Sequence, residues 1–355
     1  MTIGVDSKVI VVAVKIGEGK SVEKVDKIAQ IVDLHSDLIL LDLRRRPEYN
    51  YSILKFGGEI STVLETLDII NEKIFNLLDF SNTRSLANAT GSLSSIVLIP
   101  IRNIAIDDCK VYIRTYAQNF SEKFRQPVIL FAEAAHQDRK RINRYLHSLT
   151  AKQFAKEFET GKIVPDFGKN YFNPRRGITL MGVRKYIVSA MFYLDTGNLD
   201  IAQGIADEIG KQGRILYDRE GKPLRHQNGN IRRGKGKFPT VSTVAGNFVM
   251  ENMTQILCNL EDYDHPNLFE LYKTVKEVAN KDVVEILGTS IIEYLPWSAI
   301  ETTILQHEKY HQSLQYLSIQ EKLTIFIKLL NLESIGDFNP YRQIIDFQLI
   351  PSLFI

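Results

Sequence analysis

Three short stretches of this chain place reactive residue types at spacings that could do chemistry. Lys15 to Ser21 reads Lys-Ile-Gly-Glu-Gly-Lys-Ser, follows an apolar run and ends in Gly-Lys-Ser, as a phosphate-binding loop does. Leu38 to Asp42 adds an apolar run ending in an acid that could hold magnesium. The full pattern needs a glycine five places before Gly19, where bare backbone amides close round a phosphate, and Val14 stands there. The expectation is therefore a tight turn ahead of a capped helix. His307-Glu308-Lys309-Tyr310-His311 matches HExxH, which on a helix sets two imidazoles one turn apart for zinc beside a glutamate base. Catalytic zinc takes a third protein ligand as well, and the later acids Glu321 and Glu333 lie in no ligand motif. No metal is expected, and His307 and His311 are assigned to the face of a C-terminal helix. There is no Gly-x-Ser-x-Gly elbow, and Cys109 and Cys258 have no local signature of a nucleophile.

The third stretch is basic. Between Lys211 and Lys237 nine Lys and Arg stand against Asp218 and Glu220, a local charge of +7 in a chain whose total is +2. A glycine-rich basic loop on a slightly acidic body reads as a seat for a polyanion, whether a carboxylate chain, a phosphate or nucleic acid, or as a charge run that faces water. Arg232, Arg233, Lys235 and Lys237 are its candidate anion-binding residues. A folate or other anionic small molecule is the expected partner, and a nucleic acid is not.

Positioning these residues falls to alternating α and β elements. Val9 to Val14 is a β-rich run, and Ser21 caps a segment with Val22, Val25, Ile28, Ala29 and Val32 at helical spacing. Leu38 to Leu41 and Tyr51 to Phe56 read as strands, Val63 to Leu77 as a helix and Ile96 to Ile101 as a strand. The order β-α-β-β-α-β is the split βαβ of ferredoxin-like domains. A further helix and strand extend it to about Phe131. The alternation restarts after Val164-Pro165-Asp166-Phe167-Gly168, with a strand over Lys185 to Leu194, a helix through Ile201 to Ile209 and a strand over Val241 to Phe248. A helix over Leu268 to Ala279 and a strand over Val283 to Ile292 complete it. The fold class is α/β (α+β), two tandem ferredoxin-like subdomains divided as 1–177 and 178–355, and clefts between such units commonly hold ligands.

Size and composition agree. A chain of 355 residues, 44% hydrophobic and 24% charged, is long enough for two domains and excludes disorder, collagen and coiled coil. Its apolar runs are far shorter than the ~20 residues of a membrane span, so no membrane association is expected. The start lacks the basic, long apolar and small-residue regions of a signal peptide. Cys109 and Cys258 lie too far apart for a redox CxxC, which suits a reducing compartment. The cytoplasm is the expected location.

Ile163-Val164-Pro165-Asp166-Phe167-Gly168 and Gly182-Val183-Arg184-Lys185-Tyr186-Ile187 resemble the W-A-P-D-F-G and G-A-R-K-F-L segments of the glutamate formiminotransferase family. Other pieces fall in the same order. Gly17-Glu18-Gly19-Lys20 resembles S-E-G-K, Ile99-Pro100-Ile101-Arg102 resembles I-P-V-R, Glu133-Ala134-Ala135 resembles E-A-A, and Val241-Ser242-Thr243 resembles V-S-T. Gly288 through Pro296 resembles G-S-x-x-x-G-L-V-P and Phe338 through Ile345 resembles F-x-P-K-E-R-I-I. The resemblance implies two ferredoxin-like halves with folate held in a positively charged tunnel between them. It implies transfer of a formimino group from N-formimino-L-glutamate to N5 of tetrahydrofolate. Asp166, Phe167, Gly168, Gly213 and Arg214, the last two matching the start of the family's G-R-G-K-D-Q-P-G loop, are its candidate cofactor-binding residues. A homodimer is the assembly considered.

The reaction needs a base for the N5 proton, and the family uses the histidine of G-E-H-P-R-M-G, whose ordinary pKa of roughly 6.5 suits the task. The matching stretch here is Ser85-Leu86-Ala87-Asn88-Ala89-Thr90-Gly91, with Ala87 at the base's position. Ala89 and Tyr51 replace arginines, Arg44 an aspartate, and Lys15 and Val244 asparagines. The expectation is a divergent member, a folate-binding pseudoenzyme of one-carbon and histidine metabolism whose transfer activity is impaired or absent. The alternatives are a non-catalytic binding or scaffold protein whose basic loop holds an anionic partner, and a transferase using another base such as His136.

Overall fold

The computed structural model describes residues 3–82, 90–139, 142, 145–146, 149–248, 252–307 and 314–354. They form two compact units, Met1–Lys185 and Tyr186–Ile355. The division falls later than the 177/178 boundary read from the sequence, because Thr179–Val183 is a strand of the first unit's sheet.

In the first unit the chain runs through β1 (Val9–Ile16), α1 (Val22–Ala29), β2 (Leu38–Arg46), β3 (Tyr51–Glu59), α2 (Ile60–Leu77) and β4 (Leu93–Arg102). It continues through α3 (Ile106–Phe124), β5 (Val128–Ala132), α4 (Ala151–Glu159) and β6 (Thr179–Val183). The sheet order is β2-β3-β1-β4-β6-β5. Its first four strands are antiparallel, the ferredoxin-like arrangement, and β6 and β5 join in parallel. Because side chains alternate along a strand, Ile10, Val12, Val14 and Ile16 all enter one core. They meet Ile28 of α1, Val63, Leu67, Ile70 and Ile74 of α2, and Ile113, Ala117 and Phe120 of α3. Burying each such side chain contributes roughly 1.5–3 kcal/mol.

The second unit repeats the order with β7 (Val188–Leu194), α5 (Leu199–Ile209), β8 (Val241–Asn247), β9 (Thr254–Leu260), α6 (Leu268–Lys281) and β10 (Ile286–Ile292). Its sheet, β10-β7-β9-β8, is antiparallel throughout. Asn198 and Asn267 cap α5 and α6 with side-chain oxygens that accept backbone N–H bonds, as the sequence pattern of a polar residue before an apolar helix requires. Then come α7 (Trp297–Leu305) and α8 (Ile319–Leu329). His307 lies beyond the last residue of α7, in a bend and not on a helix, which corrects the expectation for it; His311 lies outside the described residues. No helix among the described residues is long and apolar enough to cross a membrane.

Candidate functional site

The turn after β1 is arranged as an anion seat that its own side chain fills. Glu18 Oε1 accepts the backbone N–H of Lys20 at 2.8 Å and of Ser21 at 3.0 Å, so a carboxylate stands where a phosphate would meet the helix start. Ser21 Oγ accepts from Lys24 N, completing the cap of α1. The two glycines serve close approach: a Cβ at Gly17 would lie 2.5 Å from Gly91 O, and one at Gly19 2.6 Å from Tyr51 O. Asn50, held at φ 48 between β2 and β3, accepts the Gly19 N–H.

The face of the first sheet opposite the helices carries a charged cluster. Strand pairing puts Arg44, Ile53, Lys15 and Ser95 in one row across β2, β3, β1 and β4, and Asp42 with Lys55 in the next. Lys55 Nζ lies 3.4 Å and an Arg44 terminal nitrogen 3.5 Å from Asp42 Oδ2, and Lys15 Nζ stands over the Tyr51 ring. Burial lowers the Lys15 ammonium to about 8. Three positions at which this chain departs from the resemblance, Lys15, Arg44 and Tyr51, are thus brought together on one surface, where Arg44 and Lys55 flank the carboxylate of Asp42.

Asp166, Phe167 and Gly168 line a cleft of about 1030 Å³ within the first unit, together with Ser121, Arg125 and Tyr171 among others. The Asp166 carboxylate is occupied by the protein itself. One oxygen accepts the Leu130 N–H at 2.7 Å and the other the Arg139 guanidinium at 3.1 Å. Phe167 packs against the core, and its carbonyl accepts from Val128 N. Gly168 has φ +86, and a Cβ there would meet Ser121 Oγ at 2.6 Å. The segment therefore shapes the cleft wall, and the other polar groups of the cleft come from residues the sequence reading missed. Ser121 is 5% exposed and its hydroxyl has no hydrogen-bond partner, while Arg125, Lys169 and Tyr171 are exposed around it. Their signal was faint, since each belongs to no motif.

Gly213 and Arg214 lie in the second unit, at the base of the basic loop. Gly213 has φ +69, and a Cβ would come within 2.0 Å of Gly234 O. Arg214 Nε pairs with Glu208 Oε2 at 2.9 Å and another of its nitrogens with Asp282 Oδ2 at 3.7 Å. Arg233 pairs with Asp207 Oδ2 at 2.9 Å and donates to Gly213 O. Burial disfavours the charge on Glu208, but the Lys281 hydrogen bond and the charges of Arg214, Lys281 and Lys237 outweigh it and hold the carboxyl below its usual range. Of the four candidate anion-binding residues, Arg233 is thus engaged by the fold. Arg232 and Lys235 have no carboxylate partner among the described residues, and the charge of Lys237 acts on Glu208.

The remaining candidates are scattered. Ala87 and Ala89 lie outside the described residues. His136 is 82% exposed in its side chain, 3.6 Å from Asp138, in open solvent. His307 packs against the Phe269 ring at 5.1 Å. Among the described residues no three His, Cys, Asp or Glu side chains gather as a metal site. Val244 is 62% exposed on β8.

Comparison with known proteins gives a consistent picture. The chain is 24% identical over 336 residues to a formimidoyltransferase-cyclodeaminase of Rattus norvegicus, covering 94% of this chain and 58% of that protein. It is 22% identical over 300 residues to a glutamate formimidoyltransferase of Thermoplasma acidophilum, covering 84% of this chain and 90% of that one. A glutamate formimidoyltransferase of Streptococcus pyogenes is 18% identical over 294 residues, with 83% and 91% covered. The chain thus spans well under two thirds of the length of the cyclodeaminase relatives. Residues 9–184 match the N-terminal subdomain of the formiminotransferase domain and residues 192–350 match the formiminotransferase domain. With nearly its whole length matched in the expected order, the chain belongs to the formiminotransferase family.

Proposed function

We propose that this protein binds a folate or related anionic small molecule and transfers a formimino group from formiminoglutamate to tetrahydrofolate much more slowly than its relatives, or not at all. The observation that carries the binding half is the cleft at Asp166, Phe167 and Gly168. Its volume of about 1030 Å³ admits a drug-sized ligand, Ser121 offers an unpartnered buried hydroxyl, Tyr171 an aromatic face, and Arg125 and Lys169 positive charge. These groups fit a flat heterocycle with an anionic tail. In the second unit Arg232, Lys235 and Lys237 supply a further anion-accepting surface. A binding or scaffold role in place of catalysis draws support from that same exposed loop.

The loss of transfer rests on Ala87, which cannot take a proton, and on the altered charges at Lys15, Arg44 and Tyr51. A lost general base costs on the order of 10²–10⁴ in rate, and the loss of its polar surroundings adds to this. The protein is proposed to work in a reducing, cytoplasmic setting, where both cysteine thiols stay buried.

Calorimetric titration with tetrahydrofolate and with folinate tests the reading. Saturable binding that weakens on Arg125→Ala with Lys169→Ala is expected, and absence of heat with either folate would sink it. Neutralising Arg232, Arg233, Lys235 and Lys237 together is expected to remove any salt-sensitive part of the binding, because exposed charges are screened over about 8–10 Å at physiological ionic strength.

A further inference from the structure

The basic loop has an internal repeat that the charge count conceals. Leu216 N donates to Arg232 O at 3.0 Å, Arg232 N to Leu224 O at 2.7 Å, and Leu224 N to Leu216 O at 2.8 Å. These residues, spaced eight apart, close a ring of three backbone hydrogen bonds. The turns between them are copies of one another. Asp218 N donates to Lys222 O and Gly221 N to Asp218 O; His226 N donates to Asn230 O and Gly229 N to His226 O. Gly221 and Gly229 hold φ of +77 and +83, the left-handed position such hairpin turns require. Bridges at Tyr217 with Pro223, Arg225 with Ile231 and Arg233 with Ile215 complete a three-sided collar.

The collar is clamped at one corner and exposed at the other two. Arg233 and Arg214 tie its base to Asp207, Glu208 and Asp282. Because alternate residues share a face, Ile215, Tyr217, Pro223, Arg225, Ile231 and Arg233 all stand on one side, each bridge setting an apolar residue against a Tyr or Arg. Tyr217 is 57% exposed, Ile231 38% and, on the other face, Leu216 37%. Arg219, Arg225 and Arg232 have no carboxylate partner among the described residues. Little of the collar's side-chain surface is withdrawn from water, so its order is not explained by burial within the unit.

We propose that this collar, residues 214–234, is a docking surface for an acidic, partly apolar segment of a partner protein. The three segments pair with one another on both sides, so no strand edge is free to extend a sheet, and recognition falls to side chains. Exposed Tyr and Arg beside apolar residues are the composition of the energetically dominant part of protein interfaces. Arg225 donates to the Gly229 carbonyl at 2.8 Å, and the charges of Arg219, Arg225 and Arg232, unanswered by any carboxylate among the described residues, call for carboxylates by charge complementarity. A single-stranded nucleic acid would need several aromatic platforms for successive bases, and between 214 and 234 Tyr217 is the only Phe, Tyr or Trp, with His226 the one other aromatic ring. The inference does not depend on the cleft at Asp166 to Gly168 in the other unit, and it shares only Arg232 with the anion-accepting surface of the folate reading.

The test uses the full chain and a fluorescent peptide in which glutamates alternate with leucine and phenylalanine, read by anisotropy at low and physiological salt. Saturable binding is expected, at least 10-fold weaker for Tyr217→Ala combined with Arg225→Glu. A second variant, with 216–232 replaced by a glycine-serine linker, is expected to lose it while keeping the parent's circular dichroism and cooperative thermal unfolding. A polyglutamate peptide without apolar residues is expected to bind at least 10-fold more weakly. No binding by the parent, equal binding by both variants, or tighter binding of a single-stranded oligonucleotide of matching charge would each overturn the proposal.

Discussion

Lys15 Nζ sits 4.5 Å from the centre of the Tyr51 ring, on adjacent strands of the first sheet. The ring face gives a cation some return for leaving water, yet burial still lowers Lys15 from 10.5 to about 8. The folded state therefore binds the Lys15 proton less tightly than the unfolded state. Stability is reduced below about pH 8 and recovers as pH rises from about 8 towards 10.5. Lys15→Met is expected to raise stability at pH 7, by at most about 3 kcal/mol, and to flatten that rise. Urea unfolding at pH 7, 8.5 and 10 checks it; an unchanged pH profile would show that Lys15 is not the group responsible.

Gly213 and Gly221 both have positive φ, but only Gly213 is crowded, with the Gly234 carbonyl 2.0 Å from where a Cβ would stand. Gly221→Ala, in open space, is expected to cost about 1 kcal/mol through backbone strain alone. Gly213→Ala is expected to cost more, about 2–4 kcal/mol, and to expose the basic loop to protease. Equal melting temperatures for the two variants would contradict the close approach.

Asp166 joins Leu130 N and Arg139, so removing its carboxylate leaves a partly buried amide and a guanidinium without their acceptor. Asp166→Ala is expected to destabilise the first unit by about 2–3 kcal/mol. Any loss of folinate binding is expected to follow from the reshaped cleft wall. At a temperature where the variant is fully folded, an affinity near the parent's is the expected calorimetric result; a large loss there would mean that Asp166 contacts the ligand.

Ala87→His is expected not to restore formimino transfer. A base works only when its partner is held within about 2.6–3.2 Å, and misplacing reacting groups by about 1 Å costs ~10²-fold. Lys15, Arg44 and Tyr51 share the altered sheet face, so the single change leaves three departures in place. Formimino-tetrahydrofolate formation is to be measured for the parent, for Ala87→His, and for a variant also carrying Arg44→Asp and Tyr51→Arg. Robust turnover by the parent would show that another base is in use, and turnover by the single variant that the surrounding site was never dismantled.

Cys109 and Cys258 are both buried, and desolvation raises the Cys109 thiol to about 12 and pushes Cys258 up as well. Both are expected to resist thiol reagents at pH 8 and to react together on unfolding, which mass spectrometry after timed labelling reads out. Rapid labelling of either in the native protein would place it at the surface.

Local pattern alone specified the α+β class, the β-α-β-β-α-β order of the first half and all but one strand of that order in the second, because alternation and helical spacing are properties of neighbouring residues. The ordered short motifs likewise sufficed for the family, from Gly17-Glu18-Gly19-Lys20 to Phe338-Asn339-Pro340. Two strands were legible and overlooked: Thr254, Ile256, Cys258 and Leu260 alternate as buried residues of β9, and Thr179–Val183 forms β6. What the tertiary structure alone decided is which charges are already answered. Asp207, Glu208 and Asp282 engage Arg233 and Arg214, and Leu130 and Arg139 engage Asp166. The chain folds these partners together from distant positions, whereas a charge count weighs every Lys and Arg alike. The collar with its eight-residue repeat escaped for a related reason: its closure depends on three backbone hydrogen bonds, and main-chain pairing leaves little trace in side-chain type beyond Gly221 and Gly229.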